Sequence, residues 1–267
     1  MHKVLAFVRR DFLNDVSYRF AFFFNLASIL FTVLTFFFIA KLFSRSFSPY
    51  LNEYGGQYFP FVFIGIAFSG YLSAGLRGFS DALRNEQLTG TLEMILLTPT
   101  RLSTMLVSQT LWKFLQATMN ILFYLLIGIF FLKVHLDAKG LLGALIILIL
   151  TITSSSGLGI MAAGFVMIFK KGDPVTWLFI TISSLLGGVY YPVTVLPEPL
   201  QKLSLFLPIT HSLAGLRGAL LTGCSFEHLS LHMGALLIFT ILLMPAGILT
   251  FAHAVRKSKR EGTLVCY

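Results

Sequence analysis

Long apolar runs, most of them 20 residues or more, recur along this sequence and restrict the folds that it can adopt. An apolar helix of about 20 residues is long enough to cross the hydrocarbon core of a bilayer. Hydrophobic residues make up 56% of the 267 residues and charged residues only 12%, whereas soluble domains carry about 25% charged residues. The sequence therefore predicts an all-α polytopic membrane protein, with residues 1–267 forming a single transmembrane domain.

Six of the apolar runs are predicted to be transmembrane helices. The fifth is short for a bilayer crossing, and the third is long enough to tilt or to extend into the interface. An even number of crossings would place both termini on the same side of the membrane. The predicted spans are approximately 21–43, 57–76, 104–132, 141–169, 175–191 and 232–254.

The positions of the basic residues predict the orientation of these spans. Cytoplasmic segments of membrane proteins carry an excess of Lys and Arg. With cytoplasmic N and C termini, roughly twice as many of the 20 basic residues lie inside as outside. We therefore expect a multi-pass protein of the cell inner (plasma) membrane. The net charge of +9 is spread over the segment ends, so no nucleic-acid partner is expected. The predicted outer basic residues are Lys41, Arg45, Lys133, Lys139, Lys202 and Arg217.

The N-terminal residues 1–20 have the apolar periodicity of an amphipathic helix. Val4, Val8 and Phe12 share one side of such a helix, although Asp15 and Arg19 interrupt it. This pattern favours a helix that lies in the membrane interface over an ordinary charged flank.

The segment 192–231 is apolar, but four prolines break it and exclude one long helix. Two shorter helices are predicted instead, at Pro199–Phe206 and Thr210–Leu221. They suit a re-entrant hairpin that enters from the outer face, which requires that protein cover its backbone. The alternative is a loop that lies flat on the membrane surface.

The third predicted span carries a polar stripe. Its members, at helical spacing, fall on one face of the helix. Such groups must face protein or water inside a membrane, so the stripe either forms hydrogen bonds between helices or lines a pathway. Tyrosines near the end of the fifth span are further candidates for a pathway lining. The stripe is Gln109, Lys113, Gln116 and Asn120, and the candidate lining residues are Gln116, Asn120, Tyr190 and Tyr191.

No catalytic, metal-binding or cofactor-binding pattern is evident. The chain has no HExxH, GxSxG or Walker motif, and Cys224 and Cys266 lack metal-ligand spacing. The predicted spans contain no Asp or Glu, which argues against an ion-coupled carrier but leaves a passive channel open. Any energy for transport would have to come from another chain.

A polar segment, residues 78–101, separates the second and third spans and is predicted to be cytoplasmic. A first helix, Asp81–Thr89, continues from the second span, and Gly90 breaks it. A second helix, Thr91–Leu97, should stop at Thr98, because the residue before a proline resists helical geometry. The product would be a compact knob that can transmit force from a soluble partner to the membrane.

Two strings in the sequence resemble a known family. RNEQLTGTLEMILLTPTR, residues 84–101, is similar to the cytoplasmic signature of ABC transporter type-2 (ABC-2) exporter permeases. GGVYYPVTVLPEPLQKLSLFLPITHSLAGLRGALLTG, residues 187–223, resembles that family's stretch after the fifth span. The resemblance extends over essentially the whole chain, including the six spans and the N-terminal interfacial helix.

The resemblance implies a permease subunit without an ATPase site of its own. Two permease subunits, identical or related, would pair with two ATP-binding cassette subunits, which bind Mg-ATP. The substrate would be amphiphilic, lipid-linked or a glycan, and the signature looks more like the drug and lipo-oligosaccharide branch than the polysaccharide branch. The implied ATPase-coupling residues are Arg84, Glu86, Thr89, Gly90, Thr91 and Glu93, with a second contact at Lys170 and Asp173.

Two other functions are compatible with the residues alone. One is a passive channel or membrane scaffold that a regulator controls through residues 78–101. The other is a membrane-embedded lipid-modifying enzyme, for which the outer segments offer only scattered acidic residues: Glu53, Asp137, Glu198 and Glu227.

Overall fold

The computed structural model describes residues 2–98, 102–169 and 174–261, and no strand occurs in these ranges. The predicted all-α class is therefore confirmed. The helices are α1 (His2–Ser17), α2 (Arg19–Phe47), α3 (Tyr58–Leu88), α4 (Thr91–Leu97), α5 (Leu102–Leu126), α6 (Leu141–Phe169), α7 (Pro174–Leu186), α8 (Glu198–Ser204), α9 (Pro208–Leu221) and α10 (Phe226–Arg260).

Five of these helices, α2, α3, α5, α6 and α10, are long and apolar enough to cross a membrane. The chain is thus a multi-pass helical membrane protein. Helix α7 has only 13 residues, and the prediction that it continues to residue 191 is wrong. It ends at Leu186, before Gly187 and Gly188, and Gly188 adopts a left-handed conformation with φ of +76° that favours glycine.

Helix α3 lies at the centre of the bundle. It contacts α5, α6 and α9, and its buried side chains include Phe61, Ile64 and Leu83. The second span and the first helix of the polar segment are one uninterrupted helix of 31 residues. The membrane region and the polar segment are therefore joined without a hinge.

Small residues on α6 allow its neighbours to approach closely. A Cβ atom added to Gly159 would lie 1.9 Å from the carbonyl oxygen of Gly75 on α3. On the opposite side, a Cβ atom on Gly247 of α10 would lie 2.4 Å from the carbonyl oxygen of Gly157. These approaches show that small residues of α6 serve helix packing.

The two short helices predicted between residues 192 and 231 are present as α8 and α9. Helix α9 packs against α3, α6 and α10, and most of its side chains are buried. Its backbone is therefore covered by protein, as a re-entrant helix requires. These contacts favour the re-entrant interpretation over a flat surface loop, while the depth of α9 in the membrane remains a prediction.

Arg217 fixes α9 to α3. Its side chain is only 3% exposed, although the sequence placed it among the outer charges. Nε donates to the carbonyl oxygen of Phe61 at 3.0 Å, and Nη2 donates to that of Val189 at 3.2 Å. The guanidinium carbon also lies 3.5 Å from the centroid of the Phe61 ring. Carbonyl oxygens and a cation–π contact thus compensate for the buried charge.

Helix α1 rests on α5 with one side and leaves apolar side chains exposed on another. Leu5, Phe12 and Val16 are exposed, as expected for a helix that inserts its apolar side into a membrane interface. The helix itself confirms the predicted N-terminal element, and its position in the interface remains a prediction.

Candidate functional site

The polar segment forms the predicted knob, which we call the coupling segment (residues 78–98). Helix α3 ends at Leu88, and the amide of Thr89 donates to the carbonyl oxygen of Asn85 at 3.0 Å. Gly90 then reverses the chain with φ of +69°, and α4 begins at Thr91. Thr98 is extended, with ψ of 158°. The predicted break and stop are therefore confirmed.

Glu86 holds the coupling segment together from the inside. Glu86 is only 4% exposed to solvent. Oε1 accepts from Arg10 Nη1 of α1 at 2.8 Å and from Gln109 Nε2 of α5 at 2.5 Å. Oε2 accepts from the hydroxyl of Thr91, at the start of α4. This one carboxylate therefore links α3, on which it lies, to α1, α4 and α5.

The charge of Glu86 is balanced by Arg10. Burial lowers the pKa of Arg10, but the hydrogen bond to Glu86 and the neighbouring carboxylates outweigh it and raise the pKa above its ordinary value. Arg10 also pairs with Asp11 at 2.9 Å. Burial raises the pKa of Asp11, and the charge of Arg10 opposes that rise. The arginine therefore stays charged at all physiological pH values.

The outer surface of the coupling segment is apolar at its tip. Leu88 is 59% exposed, Met94 68% and Leu97 85%. Thr89, Gly90 and Thr91 are also exposed between them. An exposed apolar patch on a polar segment is typical of a surface that another protein or a membrane covers.

The residues assigned to ATPase coupling divide into three groups. Thr89, Gly90 and Thr91 lie on the exposed tip, and Glu93 lies in the first turn of α4. Glu86 and Arg84 lie further inside, and the Nε of Arg84 is buried without a hydrogen-bond partner among the described residues. Lys170 and Asp173 lie outside the described residues.

Three residues of the α5 stripe, Gln109, Gln116 and Asn120, form hydrogen bonds to other helices. Asp15 accepts from Trp112 Nε1 at 2.6 Å and from Gln116 Nε2. Asn25 Nδ2 of α2 donates to Asn120 Oδ1 at 2.8 Å. Together with the bond between Gln109 and Glu86, these contacts bind α5 to α1, α2 and α3. Of the two alternatives for the stripe, they favour hydrogen bonding between helices, and a pathway lining at Gln116 and Asn120 stays a prediction.

Asp15 links α1 to α5, a structural role that the sequence analysis missed. It interrupts the apolar side of α1 and therefore looked like a defect in the amphipathic pattern. Its partners lie about a hundred positions away in the chain. The only available signal was that α1 and α5 each carry polar groups on an otherwise apolar side.

Of the two tyrosines proposed for the pathway, Tyr190 lies between α2 and α3. The Tyr190 ring stacks on Phe36, with centroids 5.6 Å apart and an interplanar angle of 9°. Its carbonyl oxygen accepts from the Tyr58 hydroxyl at 2.9 Å. Tyr191 is partly exposed. Tyr190 therefore has a packing role, and whether either tyrosine faces a substrate stays a prediction.

Comparison with known proteins identifies the family. The protein-family model described as ABC-2 type transporter matches residues 2–221 of the chain. The chain belongs to the ABC-2 type transporter family. Membership of this family agrees with the multi-pass helical fold. The coupling segment lies wholly within the matched residues.

One relative of this ABC-2 chain is Nodulation protein J from Sinorhizobium fredii (strain NBRC 101917 / NGR234). The two sequences are 40% identical over 65 residues. The aligned part is 24% of this chain and 24% of the relative, so it spans about a quarter of each protein.

Replacing Asn120 with leucine tests whether the α5 stripe serves packing. We expect a loss of about 0.6 kcal/mol, the average value of a hydrogen bond between membrane helices. In a double-mutant cycle, Asn25→Leu alone already removes this hydrogen bond. Adding Asn120→Leu to that variant should therefore cause no further loss of unfolding free energy from the bond. Thermal unfolding of the purified chain in detergent measures both values. Altered transport without coupling between the two substitutions would instead support a pathway lining.

Proposed function

We propose that this chain is the permease subunit of an ATP-driven ABC exporter. The observation that carries the proposal is the apolar tip of the coupling segment, which the buried Glu86 holds rigidly on the end of α3. A partner protein that binds this tip can move α3 directly, because α3 continues into the bundle without a break.

The proposed complex contains two permease subunits, identical or related, and two ATP-binding subunits. The ATP-binding subunits bind Mg-ATP, and each receives one coupling segment in a groove on its surface. The segment that contains Lys170 and Asp173 provides a second, smaller contact. The N and C termini lie in the cytoplasm, and the complex resides in the inner (plasma) membrane.

The proposed substrate class is an amphiphilic, lipid-linked or glycan molecule that moves outward between the two permease subunits. Because ATP binding would bring the two ATP-binding subunits together, the coupling segments would move with them and open the path between the permeases.

The test is co-purification of the chain with an ATP-binding cassette subunit that is co-expressed with it. Glu93→Arg reverses a charge in the first turn of α4, where the helix dipole favours a negative side chain. We expect the wild type to retain the ATP-binding subunit in detergent and the variant to lose at least nine-tenths of it. Gel filtration of the variant checks that it remains folded.

Glu227→Arg is the matched control. It reverses the charge of an exposed glutamate at the start of α10, at the end of the bundle remote from the coupling segment. This variant should bind the ATP-binding subunit as the wild type does. Normal export by Glu93→Arg would refute the assignment of the coupling surface. A wild-type chain that retains no ATP-binding subunit but conducts ions in vesicles would be a channel.

A further inference from the structure

A cavity of about 720 Å³ lies at the end of α3 opposite the coupling segment. Its walls come from the end of α2, the turn at Gly55 and Gly56, the first turn of α3 and the chain that follows α5. In the proposed orientation, this is the outer end of the bundle.

The cavity is basic. Lys41, Lys133 and His135 line it, and none of its described lining residues is acidic. Lys41 and Lys133 are both exposed to solvent and belong to different segments of the chain. Outer segments normally carry few lysines, so the orientation signal does not account for two of them at one cavity.

The start of α3 adds a further positive potential. Residues 58–60, its first turn, line the cavity. The N-cap residue, Gln57, makes no capping hydrogen bond with its side chain, and the first turn contains no acidic residue. The N-terminus of a helix carries a partial positive charge that favours an anion, although Pro60 in this turn has no amide to donate.

Local backbone structure fixes Lys133 at the cavity. Helix α5 passes into a π-helical turn at Ile127–Phe131, and Lys133 follows with a left-handed φ of +53°. The amide of Val134 donates to the carbonyl oxygen of Gly128 at 3.0 Å. His135 Nδ1 lies 3.1 Å from the carbonyl oxygen of Lys133. The lysine is thus held by a defined turn rather than by a free loop.

The remaining wall of the cavity is apolar. Phe37, Phe59 and Leu132 contribute to it, and Phe37 and Phe59 contact each other edge to face, with centroids 5.4 Å apart. The cavity therefore combines positive groups with an aromatic wall. A fully hydrated ion would use only the first of these features, whereas an anionic amphiphile uses both.

We propose that this cavity binds the phosphate-bearing headgroup of an anionic amphiphile from the adjacent outer leaflet. Lys41 and Lys133 neutralise the phosphate, the N-terminus of α3 faces it, and the chains of the amphiphile lie along Phe37 and α2. The proposal depends on the proposed function only for the leaflet that supplies the ligand. Binding needs no ATP-binding subunit.

The test measures lipid binding to the full-length chain in detergent, without the ATP-binding subunit. The probes are phosphatidylglycerol, phosphatidylcholine and inorganic phosphate, with binding followed by native mass spectrometry. We expect the chain to prefer phosphatidylglycerol to phosphatidylcholine. Because each basic residue near a membrane surface favours anionic lipid by about fivefold, the double variant Lys41→Gln/Lys133→Gln should bind phosphatidylglycerol roughly 25-fold more weakly.

The matched control is Lys139→Gln/Lys202→Gln, which removes two outer lysines that do not line the cavity. This variant should retain the preference for phosphatidylglycerol, and the melting temperatures of both variants should match the wild type. Equal weakening in the two double variants would overturn the proposal, because it would indicate general charge attraction. Displacement of the lipid by millimolar inorganic phosphate would overturn the assignment to an amphiphile. The result is independent of the Glu93→Arg experiment.

Discussion

Replacing Gly159 with valine is expected to destroy the packing of α6 against α3, at a cost of about 3 kcal/mol or more in the free energy of unfolding. The new side chain would start 1.9 Å from the carbonyl oxygen of Gly75 and 3.2 Å from that of Leu76. Both neighbours are backbone atoms, so no rotamer change can relieve the overlap. The two helices would have to separate along their central contact.

Thermal unfolding in detergent, followed by tryptophan fluorescence, measures the loss. Gly70→Val and Gly234→Val are the controls, since a Cβ atom at either position has no heavy atom within 4 Å. They introduce the same side chain into α3 and α10 and should leave the unfolding temperature within a few degrees of the wild type. A Gly159→Val protein as stable as these controls would contradict the close approach of α3 and α6.

Replacing Glu86 with alanine is expected to release α1 and α4 from the end of α3. The substitution removes hydrogen bonds from Gln109 and Thr91 and the ion pair with Arg10. Since the Arg10 side chain is 48% exposed, it can be hydrated again, and its ion pair contributes little. Gln109 stays buried without its acceptor, so the total loss should be about 2–3 kcal/mol.

Hydrogen exchange locates this loss. Amide protection in α1 and α4 should fall in Glu86→Ala, while protection in α6 and α10 should not change. Asn85→Ala serves as the control because Asn85 is the exposed neighbour of Glu86 on the same turn. Arg10→Ala should loosen α1 alone. Unchanged exchange in α4 of Glu86→Ala would show that Thr91 does not depend on this carboxylate.

The elements that local chemistry determines could be predicted from the sequence. The limits of α4 follow from Gly90, which adopts a left-handed conformation, and from Thr98, which precedes a proline. The limits of α6, Leu141–Phe169, coincide with its apolar run. The end of α7 was missed, because the sequence remains apolar after Gly187 and Gly188 and hydropathy alone does not register a backbone reversal.

The arrangement of the candidate site could be predicted only in part. The compact knob was expected from the break at Gly90 and the stop at Thr98. The burial of Glu86 was not, because its partner Arg10 belongs to another helix. Acidic residues in a polar segment look solvent-exposed until the tertiary fold brings a distant arginine and glutamine to the same carboxylate.

The uninterrupted course of α3 has a mechanical consequence. At a rise of about 1.5 Å per residue, its 31 residues make a rod about 46 Å long. At one end of α3, Glu86 accepts a hydrogen bond from Gln109, and at the other end Arg217 donates one to the carbonyl oxygen of Phe61. Because the helix is uninterrupted, α3 has no hinge at which it could bend when the coupling segment is displaced. We therefore expect a displacement of the coupling segment to reach the turn at Gly55 and Gly56 without bending of α3.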